Sequence, residues 1–197
     1  MGDEDGKVDG RKARGRKRRA EIIEATLAVV QRDGAGGVTH RTVAEQAGIT
    51  TSLSTYYFAT IDDLLVAALS SVSDAYTARI RDIIDHQDDR LRGLAELIVE
   101  SVGPGRERAL AERELSTLAA RRPALQPVAR RWRENVAELA ATVTGDPEAI
   151  AAIVAASDGL CTALLIDNAP AQADFVHRVL LRALGTRRPA PPAPHPA

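Results

Sequence analysis

Cysteine is almost absent from this chain. The single Cys161 excludes an intrachain disulfide and fits a reducing compartment, so a cytoplasmic protein is expected. Long apolar runs are missing too. The longest, Ala149 to Ala156, has eight residues, against roughly 20 for a helix that crosses a bilayer, and no membrane partner is expected. The first twenty residues lack the apolar core of a secretory signal. Histidine occurs four times, at positions 40, 86, 177 and 195. Only "DIIDH" and "DFVH" set a carboxylate near one at helical spacing, and a lone pair such as Asp174/His177 is more often a surface pair than a metal site. Cys161 has no adjacent His or basic residue to activate its thiol and reads as a small buried apolar group. There is no Gly-rich phosphate loop and no nucleophile elbow. These absences argue against an enzyme, and neither a metal nor a cofactor is expected.

Aromatics are also few: one Trp, three Tyr and two Phe in 197 residues. Half of them stand in a row, Tyr56-Tyr57-Phe58. Charge is unevenly placed as well. The net charge of -1 conceals a segment from Arg11 to Ile61 with nine Lys/Arg and four Asp/Glu, while the chain from Asp62 onward has sixteen Arg and nineteen Asp/Glu. A basic N-terminal third on an acidic body points to a polyanion partner for that third, or to a solvated tail at "RKARGRKRR".

Helical periodicity dominates between the ends, and no segment alternates as a strand does. Residues 1–16, rich in Gly and charge, are expected to be a disordered basic tail, and the Pro-rich residues 187–197 a disordered end. The spacing of Ile23, Leu27 and Val30 predicts a first helix over about 17–32, with Gly34 as its stop. A second helix starts after the N-cap Thr39 and ends at Ala47-Gly48, and a third runs from Thr50 to about Phe58. Thr60 and Asp63 form a capping-box pattern that opens a fourth, reaching towards Asp85 either unbroken or with a break. Further helices are expected at about 90–102, 106–121, 124–143, 147–167 and 171–184. The fold class is therefore all-α: an N-terminal three-helix unit over 17–62 and a larger helical domain over 63–186.

The second and third helices are too short to stand alone and need the first as a base. Gly48 supplies the positive φ that a sharp turn between them requires. That layout is a helix-turn-helix, whose second helix enters the DNA major groove. The polar run Thr50, Thr51, Ser52, Ser54 and Thr55 would then face phosphates and base edges, though the same residues also suit a plain helix N-terminus.

The segment "TVAEQAGITTSLSTYYFATIDDLL", Thr42 to Leu65, resembles the helix-turn-helix of the tetracycline-repressor (TetR) family of bacterial transcriptional regulators. The likeness covers about Arg18 to Leu69. It implies a sequence-specific DNA-binding regulator, a repressor released by a small-molecule effector, acting as a homodimer on a near-palindromic double-stranded operator. It makes Phe58 a core residue and puts Tyr56 and Tyr57 at the domain edge with hydroxyls towards phosphates. Arg41 aligns with a position that often contacts guanine or phosphate, and an arginine suits bidentate guanine recognition. Thr39 caps its helix and offers a backbone N–H to phosphate, while His40 is expected to be exposed. The basic tail would lie along or in the neighbouring minor groove. Three positions depart from the family pattern: Ser54 replaces an apolar residue, Thr55 a Tyr and Ile61 a basic residue. They bear on individual contacts and keep open a rival reading, an adaptor of the same fold without specific DNA binding.

The segment "PEAIAAIVAASDGLCTALLID" is apolar nearly all round, and Phe175, Val179, Leu180 and Leu184 form a second stripe, which suits either a monomeric core or, as the resemblance implies, a four-helix bundle with a second copy. Trp132, the sole tryptophan, is a candidate for the effector pocket. Leu97, Ser101, Leu118, Asn135 and Asp158 are further candidates because their helices enclose the pocket in the resembling family.

Overall fold

The computed structural model describes residues 3–168, 170 and 172–185, with side chains from residue 12 onward. Among them are nine α-helices and two short 3-10 turns, and no strand. Helix α1 spans Asp3–Asp33. It starts well before Lys17, so residues 3–16, expected to be a disordered tail, are helical. Packing of Ile22, Leu27 and Val30 holds the second half of α1, and a held helix extends without paying for nucleation again. Lys, Arg, Glu and Ala favour that extension. The Pro-rich segment 187–197 lies outside the described residues.

Helix α2 covers His40–Ala47 and opens on the expected Thr39, which forms a reciprocal capping box with Thr42. Gly48 ends it at φ 64°, a left-handed conformation that favours glycine. Helix α3, Thr51–Tyr57, is capped by Thr50, and α4, Ile61–His86, by the Thr60/Asp63 box. Helix α4 runs unbroken for 26 residues. Then follow α5 (Arg90–Val102), α6 (Arg106–Leu118), α7 (Gln126–Ala141), α8 (Pro147–Asp167) and α9 (Ala173–Leu184). Helix α6 stops three residues short of the expected 121, because Pro123–Leu125 turns as a 3-10 segment before α7.

Two large apolar cores result, with a small third cluster of Val102, Ala109 and Leu165. The first joins Ile22, Leu27, Val43, Phe58, Leu64 and Leu65 to Leu115 of α6 and Leu125. The second joins Ile80, Leu94, Ile98, Leu139, Ile153 and Leu180. Helix α4 enters both, with Leu64 to Val72 in one and Ile80 and Ile83 in the other.

Helix α8 differs from its neighbours. Its 21 residues reach a mean hydropathy of 2.1 over the best window, long and apolar enough to cross a membrane by length and composition. Run length missed this because Ser157, Asp158, Gly159 and Thr162 interrupt the run while leaving the mean high. Asp158 is nevertheless ion-paired to Arg133 at 2.7 Å, and one side of α8 packs into the second core. That packed side is narrow: Ala149, Ile153, Ser157, Cys161 and Leu165, every fourth residue, are buried. The opposite row, Ala151, Ala155, Gly159 and Ala163, is exposed.

Candidate nucleic-acid interface and ligand cavity

Helix α3 is two-faced. Leu53, Ser54, Tyr57 and Phe58 turn inward, and Thr51, Ser52, Thr55 and Tyr56 turn outward. The pattern follows from a 3.6-residue period over two turns. Phe58, 3% exposed, is core as expected, and the Arg19 guanidinium lies 4.9 Å over its ring, tying α1 to the end of α3. Tyr56 is 79% exposed. Tyr57 is half-buried, meets Tyr56 edge to face at 5.2 Å and packs on the first core.

Thr39, Arg41, Thr50, Thr51, Ser52 and Thr55 are all exposed. Several are already engaged. Thr39 and Thr50 accept from Thr42 and Leu53 backbone N–H groups as caps, and Thr55 donates to Ser52 and Thr51 carbonyls. Arg41 has only a loose partner, Glu45 at 4.0 Å. One candidate is overturned: Ser54 is fully buried, with its Oγ 3.0 Å from His40 Nδ1, so it supports α2 on α3 instead of facing a ligand. The same bond leaves His40 half-buried where exposure was expected.

The second site is a cavity of about 20 Å³ between α4 and α8, lined by Tyr76, Ser101, Ala109, Glu112, Arg113, Trp132, Cys161 and Leu165. A recess of about 160 Å³ adjoins it through Tyr76 and Ser101 and includes Leu97. The Tyr76 and Trp132 rings meet at 5.5 Å and 65°. Burial pushes the Tyr76 hydroxyl and the Cys161 thiol each up to about 12, so both stay neutral at ordinary pH. Burial also raises the Glu112 carboxyl, against the Ser116 hydroxyl and the Arg113 charge. The Trp132 indole N–H and Arg113 Nε are buried without a hydrogen-bond partner.

A larger recess, about 900 Å³, lies among α1, α6 and α8 and includes Leu118. It is an open groove on the surface, and no aromatic side chain lines it. Of the expected pocket residues, Trp132 and Ser101 line the inner cavity and Leu97 its neighbour. Leu118 lies elsewhere. Asn135 is tied off by donating to Thr77 at 2.7 Å, and Asp158 stands behind Arg113 and Arg133. Tyr76 and Glu112 were missed by the sequence reading; Tyr76 alone carried a signal, as the one aromatic of α4. Among the described residues no cluster of His, Cys, Asp and Glu could hold a metal ion.

Residues 22–68 match the family model described as bacterial regulatory proteins, tetR family, and residues 85–186 match the tetracyclin repressor-like C-terminal domain. HTH-type transcriptional regulator PksA of Bacillus subtilis is 33% identical over 99 residues, covering 50% of this chain and 48% of PksA. The chain thus spans about half of that curated relative and a third of BetI from Paraburkholderia phymatum, 37% identical over 65 residues, 32% of this chain. Solved structures align more fully. The multidrug binding protein EbrR complexed with malachite green superposes with a TM-score of 0.73 at 40% identity, covering 84% of this chain and 97% of EbrR. A TetR-family member from Streptomyces coelicolor A3 superposes at 0.76 with 39% identity and the same coverages.

Proposed function

The chain belongs to the TetR family of bacterial transcriptional regulators, a family of non-enzymes, and from that premise we propose that it represses transcription as a homodimer on a near-palindromic operator and is released by a small molecule entering the α4–α8 cavity. The observation that carries the DNA half is the outward row of α3, polar and exposed, on a helix locked from behind by Phe58. Of the exposed candidates, Arg41 is the side chain free to fork onto a guanine. Arg41→Ala is expected to weaken operator binding by about 1–3 kcal/mol and to relax preference at one base pair per half-site. Competition titrations over single-base operator variants check this; unchanged affinity with unchanged preference would make Arg41 a plain surface residue.

Pairing is supported by α8 and α9. The exposed row of small residues on α8 permits close helix approach, and Ile166, Phe175 and Leu181 stand 77%, 50% and 43% exposed beside it. An apolar face of this kind is an interaction surface, and a symmetric pair would put two α3 helices about 34–36 Å apart, one turn of DNA.

The ligand half rests on the cavity and on the complexes of EbrR with ethidium, proflavin and malachite green. A cavity of about 20 Å³ holds little more than one water, so a ligand must part the walls. Helix α6 is the wall that also grips the DNA-binding unit: Glu114 accepts from the Ala35 N–H at 2.5 Å and Arg108 pairs with Glu24 at 2.5 Å. Moving α6 outward pulls the turn between α1 and α2. The coupling is limited to the ligand's preference for the parted state, about 1–3 kcal/mol in typical cases, and operator must weaken ligand binding by the same factor. Selecting bound fragments from the source genome, then titrating a Trp132-quenching ligand with and without the recovered site, tests both halves. The repressor reading fails if no fragment outcompetes bulk DNA, and an equal ligand affinity in the two titrations rules that ligand out as the switch.

A further inference from the structure

Helix α1 begins long before its packing does. Among its described side chains Ile22 is the first that is fully buried, yet the helix runs back to Asp3, so about five turns stand outside the apolar core. The charges along this stretch are sorted. Asp3, Glu4, Asp5 and Asp9 come first, and seven of the nine residues 11–19 are Lys or Arg. Two contacts fix the basic part beside α3. A Cβ built on Gly15 would stand 3.9 Å from the Tyr57 hydroxyl, and the Arg19 guanidinium covers the Phe58 ring. Tyr56, the neighbour of Tyr57, belongs to the outward row of α3. A duplex held by that row lies alongside the basic part of α1.

Lys12, Arg16 and Arg19 follow at helical spacing and share the side of α1 on which Gly15 meets Tyr57. Among the described residues, Arg18 is held by an acid, Glu21 at 2.7 Å, whereas Lys12 and Arg16 are exposed without one. Like charges four positions apart weaken a helix, and phosphates set against that side would relieve the conflict. Shape decides how they meet. A helix with its side chains is about 10–12 Å across, and the minor groove of DNA is about 6 Å wide. A helical α1 is therefore too thick to sink into that groove as a flexible tail would, and it must ride on the rim.

We propose that the helical extension of α1 is a second DNA-binding element, in which Lys12 and Arg16 hold phosphates on the rim of the minor groove beside the half-site, outside the base pairs that α3 covers. The proposal rests on the reading of α3 as the helix that enters the major groove. The Gly15–Tyr57 and Arg19–Phe58 contacts place the two cations before DNA arrives, so binding does not have to order a tail. The acids at the start of the helix sit at the positive end of its dipole and stabilise the extension there.

The test titrates the full-length chain with a half-site from the genomic selection, once on a duplex with long flanks and once trimmed to the base pairs that α3 covers. Wild-type protein should prefer the long duplex. Lys12→Gln combined with Arg16→Gln should lose about 10-fold on the long duplex, with a salt slope shallower by about 2, and nothing on the trimmed one. Ala20→Pro keeps every charge and gives α1 a new first turn, where proline is tolerated, while uncoupling the residues before it. It should lose as much as the double glutamine variant, and urea unfolding should find both variants as stable as wild type. Wild-type affinity and salt slope in the double variant overturn the proposal. Wild-type affinity in Ala20→Pro shows a flexible tail at work and overturns the helical placement. If Arg41→Ala weakens binding and neither of these variants does, the α3 reading stands and the extension falls. A wild-type chain that prefers no duplex overturns both.

Discussion

Gly159→Arg is expected to give a folded subunit that no longer pairs and that loses its operator. Gly159 lies in the exposed row of α8, and a Cβ built there meets nothing within 4 Å. An arginine would therefore project into solvent in the isolated subunit and would favour the helix by up to about 1 kcal/mol over glycine. In a pair built on this face, the same side chain would force its bulk and charge into a close helix–helix contact, a cost of several kcal/mol. Without the pair, the second half-site is no longer bound from within one complex, and operator affinity should fall about 10²–10⁴-fold. Sedimentation would show the change from dimer to monomer. A duplex carrying one half-site would bind both proteins alike, which separates lost pairing from damage to the reading head. Gly159→Ala should remain a dimer. If Gly159→Arg still sediments as a dimer, this face is not where the copies meet.

Phe58→Ala should be the most damaging single truncation in the DNA-binding unit. The ring is 3% exposed and closes the end of α3 onto α1 and α4. Removing a buried Phe side chain costs about 3–5 kcal/mol through lost transfer energy and the cavity left behind. That is a large share of the roughly 5–15 kcal/mol that holds a domain together. Helix α3 has seven residues, far too few to persist without packing, so operator affinity should fall with stability. Urea unfolding and operator titration of the same preparation check this. Tyr56→Ala is the contrast, because that ring is 79% exposed. Its stability should change by less than about 0.5 kcal/mol while its DNA affinity falls. A Phe58→Ala protein that unfolds at the wild-type urea concentration would show that the aromatic row is not the lock.

The row Tyr56-Tyr57-Phe58 thus divides by facing: one ring is out, one is half-buried and one is core. Sequence alone reached part of this. The Thr39 and Thr60 caps, Gly48 and the order of the helices were all legible, because each depends on local geometry: a hydroxyl at an N-cap, a residue free of Cβ at positive φ, an apolar stripe at helical spacing; the core role of Phe58 came with the family resemblance. The boundaries that failed had two causes, packing for one and a local turn for the other. Helix α1 continues back to Asp3 because its second half is anchored, and α6 ends early because Pro123 starts a turn.

Side-chain facing within a short polar run was not legible. "TTSLST" offers hydroxyls at five of six positions, and composition does not tell which one turns inward. Ser54 turns inward because the packing of α3 on α2 sets it against His40, fourteen residues earlier. The cavity is the extreme case. Tyr76, Ser101, Glu112, Trp132 and Cys161 come from five helices, and no spacing in the sequence joins them. The chain's local signals determined an all-helical protein with a helix-turn-helix at its head. Only the tertiary structure decided that Asp158 sits against Arg133 and Arg113 while Glu112 is held by the Ser116 hydroxyl, since the free energy of a buried charge depends on neighbours that the sequence keeps far apart.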